Sequence, residues 1–592
     1  RDLHSFPTRR SSDLWQIELG EGPKELGDQA FIGCKSLKSV DMPSTLSTIG
    51  TRVFMFCESL TEIKFPSGLS SIGPLAFWGC KNLSSVTVDE SNASYSSDAD
   101  GVLFNKDKTT LIRYPPARTG DSYVIPDSVT AIEADAFGNS SHLKTLTLPD
   151  GLVSVGDGAF FQTGLTELTL PKNVESVGSD ILSQSSLESV TINCRYVPDK
   201  LCMGMDSLKT ANIGAVTIGF SAFKGCRNLS TVSLSDELEA IGGSAFRGCS
   251  RLSSVTLPSG LGDLAADAFN GCSSLTEVAL PSSIDVYGAG VFEGCRALKS
   301  VTLPDGIPSI KEKMFQRCES LQTIDLKGAT SIGASAFFGC SSLRSLSSIS
   351  DVDSIGTWAF AGCESLAEIT LGEKLTSIGA GAFSGTALES ISIPAKVRSM
   401  DFSAPSDKFV FPKSLKSITV DESNADFSSR DGILYSKDMK TVLACPASIT
   451  GELVVDADVG MNAFRESGLS KITFTGDVSK IGAFALYKSA IKSVVLPDSI
   501  EKIEGFAFNR SKIQSLVLPE GVSLGGNQLL ADLKYLSFPQ SLSGGAFSGP
   551  QSLWGNGVKM YDSDGTTQIR DNELDKICQR SEERRVGKEC RS

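Results

Sequence analysis

The sequence predicts an α/β repeat solenoid, with short parallel strands on one face and turns and short helical or 3-10 segments on the other. Three observations predict it. A phrase of the form Ala-Phe-x-Gly-Cys recurs along the chain, and within unbroken runs its phenylalanine returns every 22 or 23 residues, as at Phe223, Phe246, Phe269 and Phe292. A second phrase, Leu-x-x-Val-x-Leu-Pro, accompanies it and alternates apolar with polar residues as a half-buried strand does. Finally, one such unit carries about eight apolar positions, too many for 23 residues to bury alone, so neighbours must stack to make a continuous core.

One unit shows the plan. Leu229, Val232, Leu234, Leu238, Ile241, Ala245, Phe246 and Cys249 are its apolar positions. Val232-Ser233-Leu234 reads as the strand. Prolines such as Pro258, Pro281 and Pro304 close the strands, because proline has no N–H to give to a ladder. Ile241-Gly242 reads as a turn, and Ala245-Phe246 as a single helical or 3-10 turn. The marker falls at Phe31, Phe54, Phe77, Phe137 and Phe160, returns from Phe223 to Phe383, and degenerates at Phe464, Leu486, Phe508 and Phe547. About twenty strands at a spacing of ~4.8 Å predict a sheet on the order of 90–100 Å long.

These phrases resemble the BspA-like class of bacterial leucine-rich repeats, whose pattern is Leu-x-x-Ile-x-Leu-Pro followed by Ile-Gly-x-x-Ala-Phe-x-Gly-Cys. The resemblance covers roughly residues 15–550. It implies a leucine-rich-repeat solenoid curved as a horseshoe. It also implies a cell-surface or secreted protein, often adhesive, of host-associated bacteria.

The repeats are expected over 15–87, 118–419 and, in degenerate form, 448–550. Two interruptions, 88–117 and 420–447, share the phrase Val-Asp-Glu-Ser-Asn-Ala and read as hairpin inserts. Asp100-Gly101 and Asp431-Gly432 are turn signals, and Asn105–Lys108 and Ser436–Met439 are hairpin turns. The stretch 194–222 reads as one or two eroded repeats, with Cys194 and Cys202 off the ladder. Residues 551–579 are not assigned to the repeat. Residues 1–14 and 580–592 fit nothing in it and look like translated sequencing-adapter DNA, which makes the chain a fragment of a longer protein.

Little in the sequence carries chemistry. Cys34, Cys57, Cys80, Cys226, Cys249, Cys272, Cys295, Cys318, Cys340 and Cys363 each follow the marker position by three residues and so form one column. No Cys-x-x-Cys or partnering histidine supplies a zinc spacing. Reduced packing in the core is the expected state of the column; disulfides between stacked neighbours stay open as the alternative. His142 stands alone before a strand, and a triad would need it. Acid pairs such as Asp89/Glu90 sit in turn phrases. In 561–571, Asp564-Gly565 reads as a hairpin turn rather than a calcium loop, because Met560 occupies the first ligand position. No cofactor fingerprint is present, and no cofactor is expected.

The chain carries 55 Lys and Arg against 69 Asp and Glu, a net charge of −14. That balance argues against nucleic acid as a partner. No apolar run is long enough to insert into a membrane. The remaining candidate surface is the strand face. Residues on either side of each central apolar residue point away from the core, and they are mostly Ser and Thr. Ser254, Thr256, Glu277, Ser300, Thr302, Thr323, Asp325, Glu368 and Thr370 are taken as the candidate binding face. A non-catalytic surface protein that binds a host protein, matrix or glycan is the expected function. The alternative is a rigid stalk for an enzymatic or anchoring domain outside this fragment.

Overall fold

The computed structural model describes residues 15–402, 411–525, 535–537 and 559–561. The terminal peptides, the marker Phe547, and residues 551–579 apart from 559–561 lie outside the described residues. The chain divides into two units, residues 1–301 and 302–592.

In the first unit, successive coils are joined by three separate sets of backbone hydrogen bonds. The first is the expected strand ladder. Glu167–Leu170, Ser189–Ile192, Thr210–Ile213 and Thr231–Leu234 form a parallel sheet in unshifted register. Leu168, Val190 and Ala211 are buried while their neighbours face outward.

The second ladder differs from the sequence reading. The Ile-Gly pair is not only a turn, because its isoleucine ends a two-residue parallel strand. Thr217–Ile218, Ala240–Ile241, Asp263–Leu264 and Val286–Tyr287 stack in that order. Gly242 N–H then donates to Ile218 O at 2.8 Å. Two residues are too few to show a period of two in the sequence.

The third set corrects the helical segments. From Ser244 to Cys249 the N–H groups alternate in direction. Ser244, Phe246 and Gly248 donate to Ala266, Ala268 and Asn270 of the next coil at 2.9, 2.8 and 2.7 Å. Ala245, Arg247 and Cys249 donate three residues back at 3.2, 3.1 and 3.1 Å. A helix would consume every N–H internally; here every second one belongs to the neighbouring coil. Left-handed residues at Ser244 (φ 57°) and Gly248 (φ 77°) reset the chain between turns. Among the described residues the only helical segment is the 3-10 turn Ile349–Asp351. Among the described residues each unit is a parallel-strand β-solenoid of stacked coils with almost no helix, so the expected α/β character and helical segments are not found there.

This turn column places the marker side chains one above another. The rings of Phe223, Phe246 and Phe269 stack with centroids 5.2 and 5.3 Å apart, tilted by 2° and 8°. Cys202 occupies the marker position of its own coil, since its N–H donates to Ala222 O at 2.7 Å as Phe223 N–H does to Ala245 O at 2.8 Å. In the first insert Leu103–Asn105 runs antiparallel to Tyr95–Ser97 and to Thr110–Arg113, and the last of these rejoins the second ladder at Ala131–Ile132.

The second unit repeats the scheme. Ser309–Ile310, Ser331–Ile332, Ser354–Ile355, Ser377–Ile378 and Ser399–Met400 form its second ladder. Phe337, Phe360 and Phe383 stack their rings in the same way, at 5.3 and 5.7 Å. Its insert pairs Phe427–Arg430, Ile433–Ser436 and Thr441–Ala444 antiparallel in turn. Beyond it Phe464, Leu486 and Phe508 stay fully buried despite the eroded phrase around them.

A buried asparagine fixes each insert, and the sequence reading missed it. Asn92 Nδ2 donates to Pro66 O and Leu69 O at 2.8 and 2.9 Å, while its Oδ1 accepts from Ser94 N and Tyr95 N, both at 2.8 Å. Asn424 makes the same four bonds, to Pro394 O, Val397 O, Asp426 N and Phe427 N. The only available signal was the repetition of the phrase itself.

Candidate functional site

The strand face is built by register. In the first unit Glu167, Ser189, Thr210 and Thr231 stand opposite one another, and Thr169, Thr191, Asn212 and Ser233 form the parallel column two residues on. Asn212 Nδ2 reaches Thr191 Oγ1 at 3.4 Å. Glu277 and Ser300 lie on strands and are exposed. Ser254 and Thr256 are also exposed and flank buried Val255, but their segment is extended chain outside any strand.

In the second unit Thr302 is exposed, and Thr323 faces Ser345 across a parallel pair while Asp325 faces Ser347. Asp325 is the least available of the candidates. It is half-buried and accepts from Lys327 N at 3.1 Å. A hydrogen bond from Ser348 and the Lys327 ammonium hold its carboxyl below the usual range. Lys327 Nζ in turn lies 3.2 Å from Asp305 Oδ1. Glu368 and Thr370 are exposed on a segment outside any strand. Each unit therefore presents evenly spaced hydroxyls with a few carboxylates, a surface suited to many weak contacts.

The thiols belong to the core. All thirteen cysteines among the described residues are free and buried. In the regular coils the Sγ–H donates to the marker carbonyl one coil earlier, as Cys249 does to Phe223 O at 3.2 Å and Cys272 to Phe246 O at 3.2 Å. At three of the positions held by threonine or serine the hydroxyl turns back to its own coil, Thr163 to Phe160 O at 3.0 Å, Thr386 to Phe383 O at 2.9 Å and Ser511 to Phe508 O at 2.7 Å, whereas the buried hydroxyls of Ser140 and Ser489 have no hydrogen-bond partner among the described residues. Burial pushes the thiols of Cys80, Cys226, Cys295 and Cys340 up to about 12, and those of Cys249, Cys272 and Cys363 also rise. Groups held so strongly as neutral thiols are poor nucleophiles at neutral pH.

Among the described residues, an ion pair buried on both sides serves packing. Arg113 Nη1 lies 2.6 Å from Asp135 Oδ2, and Nη2 donates to Gly138 O at 3.2 Å. Burial raises the Asp135 carboxyl against the opposing pull of Arg113. His142 is exposed. Among the described residues no group of three or more His, Cys, Asp or Glu side chains is placed to hold a metal ion. No helix among them is long and apolar enough to cross a membrane.

Comparison with known proteins gives one family and several folds of its kind. The profile of the BspA type leucine rich repeat region matches residues 8–108, 119–218, 216–344, 288–408, 330–431 and 457–553. A leucine-rich repeat protein of Eubacterium ventriosum is 27% identical over 48% of this chain and 84% of its own, with a TM-score of 0.35. A leucine-rich repeat protein of Bacteroides ovatus is 23% identical over 52% and 82%, with a TM-score of 0.39. A leucine rich cell surface protein of Faecalibacterium prausnitzii is 18% identical over 82% and 95%, with a TM-score of 0.34. No curated protein sequence matches the chain.

Proposed function

The chain belongs to the BspA-type leucine-rich repeat family, and from that premise we propose that it is a non-catalytic binding protein of the cell surface or secreted space, adhering to a host or matrix protein or glycan through its strand face. The observation that carries the reading is the register of outward-facing polar side chains, mostly hydroxyls, Thr169 over Thr191 over Asn212 over Ser233 in one unit and Ser390 over Ser417 in the other. Repeated weak donors and acceptors at a fixed spacing favour an extended, repetitive partner, because each further contact forms at high effective concentration. The net charge of −14 keeps such a surface soluble and self-repelling. The buried, protonated thiols agree with a scaffold role.

The test is adhesion of the purified chain to immobilised matrix glycoproteins. Two variants are compared with it, Ser254→Lys/Thr256→Lys/Ser300→Lys in the first unit and Thr323→Lys/Thr370→Lys in the second. Both should fold normally, since these side chains lie outside the core. Loss of adhesion in either variant supports the reading. Unchanged adhesion in both removes the strand face from consideration, and substrate turnover by the purified chain would remove the non-catalytic reading.

A further inference from the structure

The second ladder of the first unit is broken after Ser71–Ile72, before the first insert, and once more between two regular coils. Ser176–Val177 ends one sheet and Tyr196–Val197 begins the next. In the regular coils a glycine after this strand donates back to the previous coil, as Gly178 N–H does to Val155 O and Gly219 N–H to Val197 O, both at 2.8 Å. After Val197 that position is Pro198, which has no N–H to give to Val177.

The connections between the two ladders shorten at the same place. Five residues, 171–175, link Leu170 to Ser176, and five, 235–239, link Leu234 to Ala240. The two coils in between have only three each, 193–195 and 214–216. Two short links between two long ones leave a notch of about 860 Å³, within the range of small-molecule sites.

The lining combines charged groups, an amide and an aromatic ring. Lys172, Glu175, Asn193, Arg195, Tyr196 and Glu237 line it, and all are exposed. Tyr196 is 46% exposed in a region where Met203 and Phe220 are also about half exposed. Its ring is held in place, because its hydroxyl donates to Asp199 Oδ1 at 2.5 Å, and that oxygen also accepts from Phe220 N at 2.7 Å. Gly219 leaves room for the hydroxyl, since a Cβ there would lie 2.6 Å from it. Among the described residues the side chains of Lys172, Glu175, Arg195 and Glu237 form no ion pair and the side-chain amide of Asn193 makes no hydrogen bond, while its backbone N–H donates to Leu170 O at 3.0 Å. Some surface charges elsewhere are paired, as Lys209 is with Glu188 at 2.8 Å, and others among the described residues, such as Lys38 and Lys64, are not. Two cations balance two anions, so the notch is neutral on a chain of net charge −14.

We propose that this notch is a binding site for a neutral carbohydrate. A fixed aromatic ring offers an apolar face to the C–H surface of a sugar ring, with a polar tip anchored elsewhere. Guanidinium, amide and carboxylate groups supply the mixture of donors and acceptors that neighbouring hydroxyls require. Charge neutrality selects against anionic ligands. The site is separate from the strand face and does not depend on its role.

The experiment applies the full chain to an array of neutral and anionic oligosaccharides, with extended peptides printed beside them. The unaltered chain should bind neutral oligosaccharides, and Tyr196→Ala should weaken that binding about tenfold or more. Tyr196→Phe keeps the ring and should stay within about threefold, and Lys81→Gln, at an exposed turn that does not line the notch, should bind as the parent does. If Tyr196→Ala fails to fold, Arg195→Gln/Glu237→Gln serves in its place with the same expected loss. Binding of no neutral oligosaccharide, binding of peptides or anionic sugars alone, or equal binding by both notch variants would overturn the proposal.

Discussion

The thiol of Cys249 donates to the carbonyl oxygen of Phe223, one coil earlier, at 3.2 Å. The same oxygen already accepts from Cys226 N at 3.1 Å. In the regular coils a cysteine thus adds a second donor to the marker carbonyl of the preceding coil while filling the volume of a small apolar side chain. Cys249→Ala removes the second bond and leaves the first. A loss of about 1–2 kcal/mol is expected in denaturant unfolding, from the bond and the small void together.

The same burial sets a pH limit. An unfolded cysteine ionises near pH 9, whereas Cys80, Cys226, Cys295 and Cys340 hold their protons up to about 12 in the fold. Below pH 9 both states are protonated and the stabilisation is complete. Above it only the unfolded state releases protons, so stability falls as pH rises toward 12, by about 1.4 kcal/mol per pH unit for each thiol. Chemical denaturation at pH 7, 9 and 10.5 should show a steepening loss, and a flat profile would contradict this burial.

Native thiol labelling should accordingly be slow. In denaturant without reductant it should reach completion, because the thirteen cysteines described are free. Persistent protection under those conditions would mean disulfides and would refute the packing described.

Arg113 and Asp135 form a pair the second insert lacks. The residues before the marker are Arg113 and Ala444, and those at the next coil are Asp135 and Asn462, as the bonds Tyr114 N to Ala136 O and Cys445 N to Ala463 O show. Arg113→Ala alone strands a buried carboxylate and should cost about 3–5 kcal/mol. Arg113→Ala/Asp135→Asn, the combination the second insert uses, should recover much of that loss. A double variant as unstable as the single one would show that the cost lies in lost volume.

Much of this was legible in the sequence because repetition amplifies weak local signals. The strand ladder, the buried marker phenylalanines and the cysteine column all recur at a fixed step, so each is read many times over. The two-residue strand ending at Ile241 was not legible, since it is shorter than one period of alternation. The turn around Ser244–Cys249 misled for a different reason. Its i to i−3 bonds mimic a 3-10 segment locally, and only the neighbouring coil reveals where the other N–H groups go. The notch at Tyr196 stood in a stretch read as eroded repeat. The strand face and the inserts gave sequence phrases, but the bonding of Asn92 and the engagement of Asp325 by Lys327 required coordinates.

The unequal links between the ladders have a broader meaning for how such a chain changes over time. From Glu167 to Leu234 the strand register passes unshifted through links of five, three, three and five residues. Loop length costs little free energy in itself, and the links of either length keep coil-to-coil bonds at their ends, as Gly214 N makes to Ile192 O at 2.7 Å and Ser235 N to Ile213 O at 2.8 Å. Insertions and deletions there leave the stack intact while reshaping the surface beside it. The architecture separates inheritance of the scaffold from invention at its margin, so new recognition surfaces arise by changing link length while Phe223, Phe246 and their column stay as they are.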